Sequence, residues 1–248
     1  MIRRAAIALA ALFAVASPGA RAETPVPGPS LEPLAKGVWM HKSWATLSFG
    51  PYFSHGLVVA DGDDVLLVDT AWNDPDTTAL LALIEAEVGL RPTAAVVTHA
   101  HDDKMGGVGA LVAAGVPTFA LDLTNEDAPA RGRTPAQNAL ASDEREWRLP
   151  GAPGGVVVFY PGPGHTRDNL VVGYPPAGVL FGGCMIRPLG PKTAGNVADA
   201  DLSHWADAVR AAANRFPEAL VVVPSHGAPG GRALLDHTIS IVEAAAAE

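Results

Sequence analysis

Short apolar runs recur along this chain, and stretches at helical spacing fall between them. Gly56 to Ala60 and Val65 to Asp69 are two such runs, joined through Asp61-Gly62, a pair suited to a tight hairpin. Asp74-Pro75 reads as a helix cap followed by proline at the first helical position. From there Leu80, Leu81, Ile84 and Val88 keep helical spacing until Gly89 stops it. Ala94 to Thr98 is another buried strand, ending directly at His99, while Gly107 to Ala114 suits a second helix and Pro117 to Ala120 a strand. Proline, alanine and charge dominate from Leu121 to Gly155, which reads as helix and loop. The alternation then resumes with strands at Val156 to Tyr160, Leu170 to Tyr174 and Val179 to Phe181. Ser203 caps a helix running to about Arg215, Leu220 to Val223 is a strand, and Leu234 to Ala247 is a closing helix. Strands and helices alternate in both halves, which predicts an α/β fold of sheets covered by helices. Periodicity does not choose between a single sheet and a two-sheet sandwich.

The first residues have a different character. Arg3 and Arg4 precede an apolar run, Ile7 to Ala16, that is too short to span a bilayer, and Ala20-Arg21-Ala22 supplies a small-x-small cleavage pattern. Residues 1–22 are therefore expected to be a signal peptide, 23–248 a single catalytic domain, and the location periplasmic. No later apolar run is long enough to cross a membrane. The net charge is −9, and the expected cleavage removes three arginines, so the remainder is more acidic still. That argues against nucleic acid or an anionic membrane surface as partner. Nothing indicates an oligomer, so a monomer is the default. Cys184 is the one cysteine, which excludes an intrachain disulfide, and a lone thiol in an oxidising compartment needs burial or a metal.

The densest chemical signal is Thr98-His99-Ala100-His101-Asp102-Asp103-Lys104-Met105-Gly106-Gly107. Near a strand end the chain is extended and side chains two apart point the same way, so His99 and His101 can offer two imidazoles to one metal. Asp103 can swing its carboxylate to a neighbouring ion, and Gly106-Gly107 lets the backbone turn tightly beneath the site. Three further segments carry isolated ligand-type residues, each after a strand-like run: His165 in Gly164 to Asn169, Cys184 after Phe181-Gly182-Gly183, and His226 in Pro224 to Gly227. Together the six suffice for two zinc ions with three protein ligands each, leaving open positions as catalysis requires. His41, His55, His204 and His237 lack such flanks and are taken as structural.

These segments resemble the metallo-β-lactamases, within them subclass one of class B, and in texture the VIM group. The resemblance runs from about Leu34 to the C-terminal helix. It rests on His99-Ala100-His101-Asp102-Asp103, on Gly164 to Asn169, and on Gly182-Gly183-Cys184 followed by Thr193 to Asp201. It implies an αβ/βα sandwich, two mixed sheets with helices on the outer faces and the site at one edge. It also implies two Zn²⁺ ions, the first held by His99, His101 and His165 and the second by Asp103, Cys184 and His226. Asn196 matches a position near the developing oxyanion, and Arg187 one where many relatives carry a lysine that grips the substrate carboxylate. An arginine keeps the charge but presents a planar fork; the other reading of Arg187 is a solvated surface residue. Ala45 to Gly56 aligns with a mobile hairpin that closes over substrate, about two residues shorter here. Phe49, Tyr52 and nearby Trp44 either form an apolar flap or pack in the core. Trp72 and Asp69 resemble positions bordering the site, Asp69 as a supporting group rather than a ligand.

The activity implied is hydrolysis of the β-lactam ring of penicillins, cephalosporins and carbapenems by a zinc-held hydroxide, with Asp103 handling the proton and Asn196 aiding the oxyanion. Thioester hydrolases of the glyoxalase II type and lactonases share the superfamily. They commonly carry a histidine directly after the motif aspartate and a bridging aspartate at the cysteine position, where this chain has Lys104 and Cys184. A non-catalytic zinc-binding protein would instead predict closed coordination.

Overall fold

Side-chain alternation along the strands sets the layers of this fold. The structure, a computed structural model, describes residues 26–247, and the expected signal peptide lies outside them. One sheet holds seven strands in sequence order: β1 (Ser30–Ala35), β2 (Val38–Leu47), β3 (Gly50–Asp61), β4 (Asp64–Val68), β5 (Ala94–Val97), β6 (Thr118–Leu121) and β7 (Asn138–Leu140). It is antiparallel from β1 to β4 and parallel from β4 to β7. The other holds β8 (Glu146–Trp147), β9 (Val157–Phe159), β10 (Val171–Tyr174), β11 (Val179–Gly183) and β12 (Val221–Pro224). Its pairs are antiparallel except β11 with β12.

Leu57, Val59, Leu66, Val68 and Val96 face inward and meet Val158, Val172, Val179 and Phe181 of the second sheet in one buried core. Their neighbours Val58, Val65, Leu67 and Ala95 face outward against Leu80 and Ile84 of α1 (Asp74–Val88) and Leu111 of α3 (Val108–Ala113). On the far side, Val157, Val171 and Leu180 pack under α5 (Leu202–Arg215) and α6 (Ala233–Ala246). The order helix, sheet, sheet, helix is the expected αβ/βα sandwich, the choice that periodicity left open.

Several local expectations are corrected. The cap of α1 is Asn73, whose extended backbone lets its side chain accept from the Asp76 amide at 2.8 Å. Asp74 is the first helical residue, and its carboxylate accepts from the Ala110 amide instead. Likewise Asp201 caps α5 by accepting from the His204 amide, while Ser203 donates to Asp201. The middle segment contains α4 (Asp122–Asp127) but also β7 and β8, too short to show a period. β2 showed no apolar run because His41 and Ser43 are among its buried positions.

His41 and His55 sit between the strands as neutral imidazoles. His41 Nε2 donates to the Val68 carbonyl at 3.1 Å and His55 Nδ1 to that of Pro224 at 3.2 Å. Burial pushes their pKa values down from 6.5 to about 4 and about 3. Because the folded values are depressed, this contribution is fully present above pH 6.5 and is lost as pH falls toward them. His41→Gln is expected to flatten the acid loss of stability by about 1.4 kcal/mol per pH unit. Urea unfolding at a series of pH values, with the same metal content in both proteins, measures it.

Candidate metal centre

His99 lies one residue past β5, after Thr98, and the chain bends through His99 to His101; His101 itself has extended angles and precedes α2 (Asp102–Met105). The Lys104 and Met105 amides both bond the His101 carbonyl at 3.0 Å, so Asp103 is carried by a helical turn rather than by extended chain. Gly106 and Gly107 do turn the chain, but with negative φ, −57° and −111°, which do not by themselves require glycine. They are needed for close approach, since a Cβ on Gly106 would strike the Trp72 carbonyl and one on Gly107 the Thr77 hydroxyl. His165 comes from the loop after β9, Cys184 from the end of β11, and His226 from just past β12.

The structure gathers the six into two adjacent triangles. His101 Nδ1 lies 3.1 Å from His99 Nε2 and 3.2 Å from His165 Nε2, with the rings 76° to 86° apart. Cys184 Sγ lies 3.6 Å from Asp103 Oδ2 and 3.5 Å from His226 Nε2, and the last two are 3.4 Å apart. A tetrahedral zinc at about 2.0–2.1 Å from nitrogen and about 2.3 Å from sulfur places its nitrogens about 3.3 Å apart and its sulfur about 3.5 Å from nitrogen. All three sides of the Asp103–Cys184–His226 triangle fit that requirement, as do the two sides that meet at His101. Donor atoms of His99, His165 and Cys184 also lie within 4.8 Å of one another, so the two triangles share a wall.

Burial and neighbouring charges set the states of His99 and Asp103. Burial disfavours the His99 imidazolium, as do His101 and His165, so its pKa lies well below the usual value and its lone pair is free. Burial alone would raise the Asp103 pKa, but the Lys104 ammonium and a hydrogen bond from His226 outweigh it and hold the carboxyl ionised. Lys104 is 0% exposed, its Nζ 3.1 Å from Asp103 and 3.6 Å from Asp69, and it donates to the His55 carbonyl at 3.0 Å. Burial opposes that ammonium, yet Asp103, Cys184 and Asp69 keep its pKa above the ordinary value. Asp69, with φ of 63°, is pushed by burial to about 7, against Lys104 and Thr98. It accepts from the Thr98 amide and hydroxyl at 2.8 and 3.0 Å and belongs to neither triangle.

Two supporting residues were not singled out from sequence. Lys104 served there only to compare families, although a lysine inside an otherwise compact motif was a usable signal. Asp199 had no local signal, because its partner is 98 positions away: its Oδ2 is 2.9 Å from His101 Nε2 and accepts from Arg131 at 2.9 Å.

The triangles open on a cavity of about 620 Å³ that Trp72, Arg187 and Asn196 also line. Ser48 and Phe49 form the two-residue tip of the β2–β3 hairpin, with Phe49 73% exposed. Tyr52 stacks on His226 at 4.6 Å and meets the edge of Trp72 at 6.4 Å. Leu47 joins this wall, whereas Trp44 packs edge-on against Phe53 at 5.2 Å, because alternation sends both away from the Ala45–Tyr52 pair. Asn196 Oδ1 accepts from the Ala198 amide, which leaves its own amide hydrogens for the cavity. His204 pairs with Asp201 and His237 with the Pro191 carbonyl, both apart from the triangles.

A family model described as the metallo-beta-lactamase superfamily matches residues 49–226. The chain belongs to that superfamily. It is 35% identical over 214 residues to a "Metallo-beta-lactamase type 2" of Bacillus cereus, covering 86% of this chain and 82% of that one. Among solved structures, the mono-zinc form of the metallo-beta-lactamase FIM-1 from Pseudomonas aeruginosa aligns with a TM-score of 0.85 and 45% identity, over 90% of this chain and 98% of that one. A metallo-beta-lactamase from Hirschia baltica gives 0.82 and 42%, over 87% and 98%. Like the superfamily, this chain carries donor sets suited to a metal, and among the described residues no helix is long and apolar enough to cross a membrane.

Lys104→Met is expected to destabilise the fold by about 3–5 kcal/mol, because it strands buried carboxylates without their counter-charge; urea unfolding measures this. Asp199→Asn is expected to weaken metal retention about 10- to 100-fold by loosening His101. Competition with a chromogenic zinc chelator measures that effect.

Proposed function

We propose that this metallo-β-lactamase-superfamily protein hydrolyses the β-lactam ring of penicillins, cephalosporins and carbapenems, using two zinc ions, and so confers resistance to them. The observation that supports it most is the clustering of the six donors at one cavity with Arg187 and Asn196. His99, His101 and His165 would hold one ion, and Asp103, Cys184 and His226 the other. Bound zinc supplies Lewis acidity and a water that ionises near neutral pH. The names of the curated relatives point to the same chemistry.

The chain's own residues have distinct tasks in this reading. Arg187 receives the substrate carboxylate in a planar fork. Asn196 donates from its free amide to the oxygen on which charge develops as the carbonyl is attacked. Asp103, kept ionised by Lys104, accepts a proton from the attacking water and passes it toward the departing lactam nitrogen. Phe49, Tyr52 and Trp72 present apolar surface to the substituents of the substrate and exclude water around them. Cys184, buried between Asp103 and His226, acts as a ligand and not as a nucleophile. The enzyme is exported to the periplasm after removal of residues 1–22, folds as one domain, and works as a monomer.

Hydrolysis of imipenem and nitrocefin by the purified protein tests this reading. Turnover is expected to vanish with EDTA and return with zinc, and two zinc ions per chain are expected by elemental analysis. No turnover in the zinc-loaded protein would overturn the lactamase reading and direct attention to thioesters and lactones.

A further inference from the structure

The segment leaving Cys184 is held between two glycine backbones, each beside a residue of the site. A Cβ built on Gly195 would lie 2.8 Å from Cζ and Nη2 of Arg187 and 2.9 Å from its Nη1. The guanidinium therefore lies flat against the backbone immediately before Asn196. On the other side, a Cβ on Gly227, immediately after His226, would lie 2.5 Å from Cβ of Pro188. Gly195 has φ of +83°, a conformation that, like the contact, favours a residue without a side chain. The Arg187 amide donates to the Thr238 hydroxyl at 2.9 Å, and its Nε is buried with no hydrogen-bond partner, so packing rather than pairing holds the Nε end of the side chain. Asn196 itself lies in an exposed stretch without regular structure, between buried Ala194 and the anchor that Asp199 makes with His101.

We propose that Arg187 is a positioning residue for Asn196 as well as a carboxylate clamp: its guanidinium is the seat on which the Gly195–Asn196 turn rests. The catalytic part of this statement relies on the β-lactam reading of the cavity. A planar guanidinium can lie against a glycine backbone over its whole face, whereas a lysine ammonium is a compact point charge that cannot. Charge and seat are thus separable by substitution. Arg187→Lys keeps the former and loses the latter, and Arg187→Ala loses both.

The test uses nitrocefin and its methyl ester, which lacks the carboxylate, with the zinc-loaded wild type, Arg187→Ala and Arg187→Lys. A pure clamp would leave ester turnover unchanged in both variants. The seat predicts that kcat on the ester falls by about tenfold or more in both, part of the loss expected when an oxyanion donor is removed. Lysine is expected to restore KM for the free acid without restoring kcat. Backbone ¹⁵N relaxation of residues 194–198 provides a readout independent of activity. Their order parameters are expected to drop from about 0.85 to below about 0.6 in both variants, with the sheets unchanged. Unaltered order parameters in Arg187→Ala overturn the seat, and unaltered ester kcat overturns its role in turnover. If the wild type cleaves neither substrate, the lactam reading fails, and the relaxation data still decide whether Arg187 seats the turn.

Discussion

A lysine ammonium with no access to water lies under this site, and the arrangement above it depends on that charge. Lys104 has Asp103 on one side, Asp69 on the other, and the His55 carbonyl completing its contacts. Burying an ammonium or a carboxylate alone costs several kcal/mol; burying them together, with hydrogen bonds to the remaining oxygens, offsets most of that cost. The cluster keeps Asp103 negative and directs one of its oxygens toward Cys184 and His226. It also accounts for the left-handed backbone at Asp69, a conformation that few residues other than glycine adopt without compensation. Here the compensation is two hydrogen bonds from Thr98, the residue before the first histidine of the site.

The sandwich gives this cluster its place. Strands β5, β11 and β12 each end at the same edge of the molecule, so short extensions of the three strands deliver His99, Cys184 and His226 to one location. Apart from Asp103 on the short α2, the helices supply no donor atom, but Trp205 of α5 lies edge-on to His165 at 5.6 Å and limits where that ring can turn. Rigid strand ends, buried charge and packed aromatics thus orient the donors before any ligand arrives. This is the condition for a site whose geometry must hold within fractions of an ångström.

What could be read from the sequence follows from how local each signal is. His99, His101 and Asp103 are two apart, and His165, Cys184 and His226 each follow an apolar run, so their residue types and flanks were visible. The sandwich itself came from resemblance, since inward and outward apolar positions look alike along β4 and β5. Caps were misplaced by one or two residues because Asn73-Asp74 and Asp201 with Ser203 offer rival acceptors, and only backbone angles decide between them. Trp44 was grouped with Phe49 and Tyr52 because nearness in sequence hides a change of face. Asp199 was invisible for the opposite reason, since nothing close to it in sequence indicates a histidine across the site. His41 and Ser43 concealed β2, an element whose inward positions include polar groups.

The two triangles divide their donors between the sheets. His99 and His101 follow the seven-stranded sheet and His165 belongs to the five-stranded one, while Asp103 is joined by Cys184 and His226 from the latter. Each ion held there would tie together parts of the chain far apart in sequence, as a disulfide does, in a protein whose single cysteine cannot form one internally. The tie is reversible and its strength depends on free metal, because whatever binds only the folded chain adds to stability by mass action. Scarcity of zinc would therefore remove structural staples together with catalytic power, and the lifetime of the fold would rise and fall with the supply of its cofactor.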